Sequence, residues 1–206
     1  MRYTGNLDVQ RALERTFRRA RLPLLYSQGF NPRPRINLAS ALPLGVTSQE
    51  EITDVWFNEQ VNEEKIQEEL NKACPPGLKI VNAKRIDNHA ATLQTQLLSA
   101  DYSITFLDKF PGLTKALREL LTQNQIIRVR RGKKYDLRPL IEDLKDLPLD
   151  KYDRQRILVR LSASQIATGR PEEVVDALGY DYQATRIHRE RLLFNTEDLK
   201  QDQLLV

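Results

Sequence analysis

The sequence is poor in the residues from which most metal and redox sites are built. Its 206 residues include one cysteine, Cys74, and two histidines, His89 and His188. A single thiol excludes an internal disulfide and an iron–sulfur cluster held by this chain alone, and so few ligands give no zinc-site spacing. Cys74 ends a helical pattern just before Pro75 with no histidine beside it, which reads as a buried or incidental thiol. No apolar run approaches the roughly 18 residues of a membrane span, and the first residues lack a secretory apolar core. The expectation is a cytoplasmic protein without membrane contact. The phosphate-loop, dinucleotide, zincin and hydrolase-elbow motifs are all missing. No cofactor is expected and no metal. Catalysis by this chain alone would need the fold to gather His188, Asp8 or Tyr135 into one pocket.

What the chain has is charge, unevenly placed. Lysine and arginine total 32 against 28 acids, a net +4. Residues 1–35 carry eight arginines against Asp8 and Glu14, whereas residues 36–75 carry eight acids against Lys65 and Lys72. Such a local positive face suits a nucleic acid or an acidic protein as partner.

Periodicity organises the chain into α+β segments. After an extended start at Arg2–Thr4, NLDVQRALERTFRRA reads as a helix capped by Asn6, with Val9, Leu13, Phe17 and Ala20 on one face. RINLASAL and EITDVWFNE read as strands, NEEKIQEELNKA as a helix stopped by Pro75-Pro76-Gly77, and LKIVNAKRI as a further strand. Residues 87–98 read as a linker or an ordered connection. The pattern then starts again: ADYSITF and QIIRVRR as strands, GLTKALRELLTQ as a helix, RPLIEDLKDL as a short helix after Pro139, and RILVRLS as a strand. RPEEVVDALG reads as a helix from Pro171 to Gly179, with 182–194 closing as strand or helix. The fold expected is two ferredoxin-like (split βαβ) modules in tandem, residues 1–86 and 99–206, with antiparallel sheets and helices on one face.

Three basic clusters are the candidate binding residues. Arg11, Arg15, Arg18 and Arg19 fall opposite the apolar stripe of the first helix. In YSQGFNPRPR, Gly29 permits a reversal and Pro32 and Pro34 stiffen the chain, holding Arg33 and Arg35 on one side with Tyr26 and Phe30 available to stack on an unpaired base. RVRRGKKYD puts Arg128, Arg130, Arg131, Lys133 and Lys134 on a strand and the turn at Gly132. Each cluster also reads as an ordinary solvated face or, for the third, a charged edge strand. Function as a nucleic-acid site requires that they converge on one groove, the loop lying beside the first helix with its arginines on the same side.

The stretch NLDVQRALERTFRRARLPLLYSQGFNPRPRINLASALPLGVTS resembles the opening of the radical-SAM-linked domain family of bacterial proteins. The shared features are a Leu-Asp helix rich in arginine, the YSQGFNP string and the Pro-Leu-Gly strand end, and ATGRPEEVVDALG and HRERLLF fit the family's carboxy-terminal part. The family commonly has Ser-His-Leu-Asp where this chain has Gly5-Asn6-Leu7-Asp8, so Asp8 aligns and no role of that histidine transfers. The resemblance also implies more strand ahead of the motif than residues 1–3 supply, so a shortened product or a piece of a fusion is expected. It implies an accessory or substrate-presenting role beside a radical-SAM protein, fused or separate, directed toward RNA. The alternative is a docking scaffold for that protein with no nucleic-acid contact. The cysteine triplet of radical-SAM chemistry is absent, so the chain cannot perform that chemistry itself.

Overall fold

The computed structural model describes residues 2–87 and 89–195. The chain divides into two compact units: Leu98–Leu193 form the second, and the first takes the residues up to Leu97 together with the chain from Phe194 on.

In the first unit, α1 spans Asn6–Arg19 and buries Leu13, Thr16 and Phe17. Its cap is Gly5, whose carbonyl accepts the Val9 N–H at 2.9 Å; Asn6, expected as the cap, is the first helical residue, and its buried Oδ1 meets no partner among the described residues. Asp8 occupies the first turn, where a carboxylate complements the helix dipole. Strands β1 (Ile36–Leu38) and β3 (Thr53–Val55) pair antiparallel, Ile36 opposite Val55, and β2 is the two-residue Thr47–Ser48. Helix α2 (Glu63–Ala73) starts where the Asn62 side chain accepts the Lys65 N–H at 3.1 Å and stops at an extended Cys74, as the following proline demands. Phe17, Leu22, Leu24, Ile36, Leu70 and Ile80 form the core, with Phe57 packed against Phe17 at a ring distance of 6.4 Å.

Two expected strands of this unit do not form. Arg2 and Tyr3 make a turn, with Arg2 bonded to Gly45 through backbone and guanidinium. Residues 78–86 run without strand partners because side chains of α2 take up their backbone groups. Asn71 both donates to the Ile80 carbonyl and accepts the Ile80 N–H, each at 2.9 Å; Gln67 donates to the Val81 carbonyl at 2.5 Å, and Glu63 accepts the Arg85 N–H at 2.7 Å. Residues 63, 67 and 71 repeat every four positions, so one helix face holds the segment. Farther on, α3 (Leu93–Gln96) is a single turn, tied down where the Leu93 N–H donates to the Asp54 carboxylate at 3.2 Å.

The second unit contains β4 (Leu97–Phe106), α4 (Leu113–Thr122), β5 (Ile127–Arg130), β6 (Lys133–Asp136), β7 (Ile141–Leu147), β8 (Arg156–Ser162), α5 (Pro171–Ala177) and β9 (Thr185–Phe194). Its sheet runs β9-β4-β8-β7, while among the described residues β5 and β6 form a separate two-stranded pair. β8 is antiparallel to both β4 and β7, with Tyr102 opposite Val159 and Ile104 opposite Ile157. Ile104, Phe106, Ile157, Val159, Leu161, Val174 and Val175 are wholly buried between sheet and helices. At about 1.5–3 kcal/mol per fully buried apolar side chain, this layer holds the unit together.

RPLIEDLKDL, expected as a helix, is a 3-10 turn at Arg138–Leu140 followed by β7. A bulge between Ile141 and Asp143 explains the misleading spacing: Ile141 pairs with Leu161 and Leu144 with Val159, so two residues three apart face the same core. The chain is thus α+β with antiparallel pairing. Among the described residues no helix is long and apolar enough to cross a membrane.

Candidate nucleic-acid interface

The YSQGFNP stretch forms a narrow arm. The Ser27 N–H donates to the Arg33 carbonyl and the Arg35 N–H to the Leu25 carbonyl, both at 2.8 Å, and the Arg33 N–H donates to Ser27 Oγ at 3.0 Å. Pro34 faces inward, bridged to Tyr26, while Gly29 turns the tip at φ 140°. That alternation leaves Arg33 and Arg35 exposed on one side, as the sequence implies. At the tip Phe30 is fully exposed, and Tyr26 is exposed at 36%.

The arm is anchored through a residue that the sequence reading passed over. Trp56 follows β3, its N–H donates to the Arg35 carbonyl at 3.2 Å, and its ring lies under the Arg35 guanidinium, 4.5 Å from carbon to centroid. The signal was present in EITDVWFNE: alternation sets the chain's only tryptophan on the face opposite Val55 and Phe57.

The same alternation separates the arm from the arginine ridge. Ile36, Val55 and Phe57 pack with Phe17 of α1, so Arg35 and Trp56 lie on the other face of the β1–β3 pair. The expectation that loop and helix present their arginines on the same side is corrected by this register. On α1 itself, Arg11 pairs with Asp8 at 3.4 Å and Arg19 donates to the Ala73 carbonyl at 2.6 Å, capping α2. Arg15 and Arg18 are exposed and pair with no acid among the described residues.

The third cluster belongs to the second unit. Arg131 and Gly132 both adopt positive φ, 48° and 77°, the turn that joins a two-residue hairpin. Arg128 faces α5, bonded to Glu173 at 2.9 Å and to Asp176, and is therefore committed within the fold. Val129 and Ile127 take the exposed face instead. Alternation correctly grouped these residues, but the acids of α5 decide which group turns inward. Arg130 is half-buried; Arg131, Lys133 and Lys134 project from the hairpin end. Tyr135, opposite Arg128, has its hydroxyl pKa pushed up by burial and by the nearby Glu173 carboxylate.

Of the residues weighed for catalysis, Asp8 pairs with Arg11, Tyr135 lies on β6 and His188 on β9. Burial pushes the Cys74 thiol pKa up, with Arg19 and the Ile80 N–H offsetting part of that effect, so the thiolate is scarce.

A polar set that the sequence did not suggest lies on the second unit's sheet. Asp101 of β4 is buried and accepts two hydrogen bonds from Arg160, at 2.8 and 3.1 Å, and one from Arg191 at 2.8 Å. Burial pushes its pKa up, but the two guanidinium groups together outweigh that and hold the carboxyl below its ordinary range. Beside it, Ser99 donates to Glu142 at 2.7 Å.

A family model matches residues 1–171, and the chain belongs to that family, DUF2344, described as uncharacterized protein conserved in bacteria. Its description names neither an activity nor a partner. Among curated proteins none matches the chain.

Proposed function

We propose that the protein is a non-catalytic RNA-binding accessory module and that the arm is its principal contact. The observation that carries the reading is the combination along one arm: a fully exposed Phe30 at its tip, an exposed Tyr26, and Arg33 and Arg35 on a shared side, Arg35 braced by Trp56 at its base. An exposed aromatic beside paired guanidinium groups offers one base a stacking surface and its flanking phosphates two donors. Exposed cations elsewhere on the first unit, Arg15 and Arg18 on α1, offer further phosphate contacts, and Arg131, Lys133 and Lys134 on the hairpin offer a separate basic patch on the second unit.

The second unit is read as a split-βαβ module. Numbered within the unit and leaving out the hairpin, its strands run fourth, first, third, second. The radical-SAM enzyme suggested by the YSQGFNP resemblance is the proposed partner, with this chain presenting the RNA to it. Filter binding of an RNA hairpin with an unpaired loop tests the reading. The intact protein should bind it, and Phe30→Ala combined with Arg33→Ala should bind at least tenfold more weakly. Equal binding by the variant would remove the arm from the account, and co-purification of the enzyme unaffected by nuclease would favour the scaffold reading.

A further inference from the structure

The β5–β6 hairpin of the second unit leaves one backbone edge unpaired. The Leu137 N–H donates to the Ile126 carbonyl at 2.8 Å, and antiparallel bonding alternates from that pair, so Arg128 bonds with Tyr135 and Arg130 with Lys133. The N–H and carbonyl groups of Ile127 and Val129 therefore point away from β6. They meet no hydrogen-bond partner among the described residues. Such a row of free donors and acceptors is a template for another extended chain.

The side chains of this edge are not those of a shielded one. Protected edges carry outward charge, proline or a bulge. β5 has no proline and pairs without a bulge, and its outward face carries Ile127 and Val129, 53% and 63% exposed. Two β-branched apolar side chains thus stand in water beside unpaired backbone.

Charge selects the occupant. Residues 127–136 carry five cations and one acid, Asp136, whose carboxylate accepts the Ile126 and Arg138 N–H groups at 2.8 and 3.0 Å. On the other face Glu173 and Asp176 are taken by Arg128, and Glu172 by Arg170 at 3.2 Å. Arg130 is half-buried, has no acidic partner among the described residues, and stands directly opposite Lys133. Like charges facing each other across a strand pair are destabilising, and an incoming carboxylate would relieve them.

A strand laid against β5 would alternate in the same way. Residues beside Ile127 and Val129 would share their apolar face, and the residue beside Arg130 would meet its guanidinium. A phosphodiester chain supplies anions but neither an amide ladder nor apolar side chains for this face.

We propose that the β5 edge docks an extended segment of a partner protein in which apolar and acidic residues alternate. The site is independent of RNA binding by the arm. The probe is a fluorescein-labelled peptide of alternating glutamate and valine, read by anisotropy with the full chain. It should bind, and it should slow hydrogen exchange at the Val129 N–H. A peptide of alternating lysine and valine, and the glutamate–valine peptide with its backbone amides N-methylated, should each bind at least tenfold more weakly. Arg130→Gln should lower affinity at least fivefold. Val129→Pro removes an N–H that the hairpin does not use and should do the same; if it melts below the parent, Arg130→Gln decides. No binding of the glutamate–valine peptide, equal binding of either control peptide, or undiminished binding by Arg130→Gln would overturn the site. So would protection of the Val129 N–H by oligouridylate as strong as that by the peptide, which would give the edge to nucleic acid.

Discussion

The Arg35 guanidinium lies 4.5 Å from the centroid of the Trp56 ring, and the Trp56 N–H donates to the Arg35 carbonyl at 3.2 Å. The two residues are therefore fixed to each other by backbone and side chain, so the arm carries a pre-positioned cation. A cation over an exposed ring contributes about 0.5–1 kcal/mol. Arg35→Ala should lower the unfolding free energy by about that much, while Phe30→Ala, which removes no packing, should leave it within about 0.5 kcal/mol. Urea unfolding of both variants checks the contrast.

Arg128 should behave as a structural residue. Its bond to Glu173 is largely sheltered, whereas Asp176 is more than half exposed and adds little. Arg128→Ala is expected to cost about 1.5–3 kcal/mol, the range for a hydrogen bond to a charged group. Replacing Lys133 and Lys134 together should cost almost no stability and should reduce RNA affinity instead. Thermal melts and binding assays on the same two variants separate the roles.

The Asn71 side chain is predicted to clamp the 78–86 segment. Losing both of its bonds to Ile80 should cost about 1–3 kcal/mol. Asn71→Ala should speed hydrogen exchange at the Ile80 N–H far more than at Ile157, in the second unit's sheet. Uniform acceleration would mean that the segment is not held by this residue.

Acid should weaken the second unit through Asp101. Its folded pKa lies below the ordinary value of about 3.9, so its contribution is complete above that pH and is lost as pH falls through the depressed folded value. Asp101→Asn should be less stable than the parent at pH 7, by about 1.5–3 kcal/mol, and the gap should close below about pH 4. Melting curves between pH 3 and 7 measure both.

What the sequence discloses depends on which forces act locally. α1, α2, α4, α5 and β8 follow from apolar spacing and, for α2 and α5, from the stops at Pro75 and Gly179, because their cores impose no irregularity. β7 misleads because one bulge makes Ile141 and Leu144 look helical. LKIVNAKRI has the composition of a strand, but Asn71, Gln67 and Glu63 satisfy its backbone, a long-range exchange that no local pattern reveals. For the site, alternation grouped Arg33 with Arg35 and Arg128 with Arg130. It did not show that Arg128 turns toward α5, that Arg19 caps α2, or that the arm and the α1 ridge occupy opposite faces of the β1–β3 pair.

The salt dependence of RNA binding tests the central claim most directly. If Arg33 and Arg35 each contact a phosphate of an unpaired strand, the slope of log K against log salt should become shallower by about 1.4 in Arg33→Ala with Arg35→Ala, at about 0.7 per contact. An affinity and slope unchanged from the parent, or no salt-dependent binding by the parent itself, would contradict it.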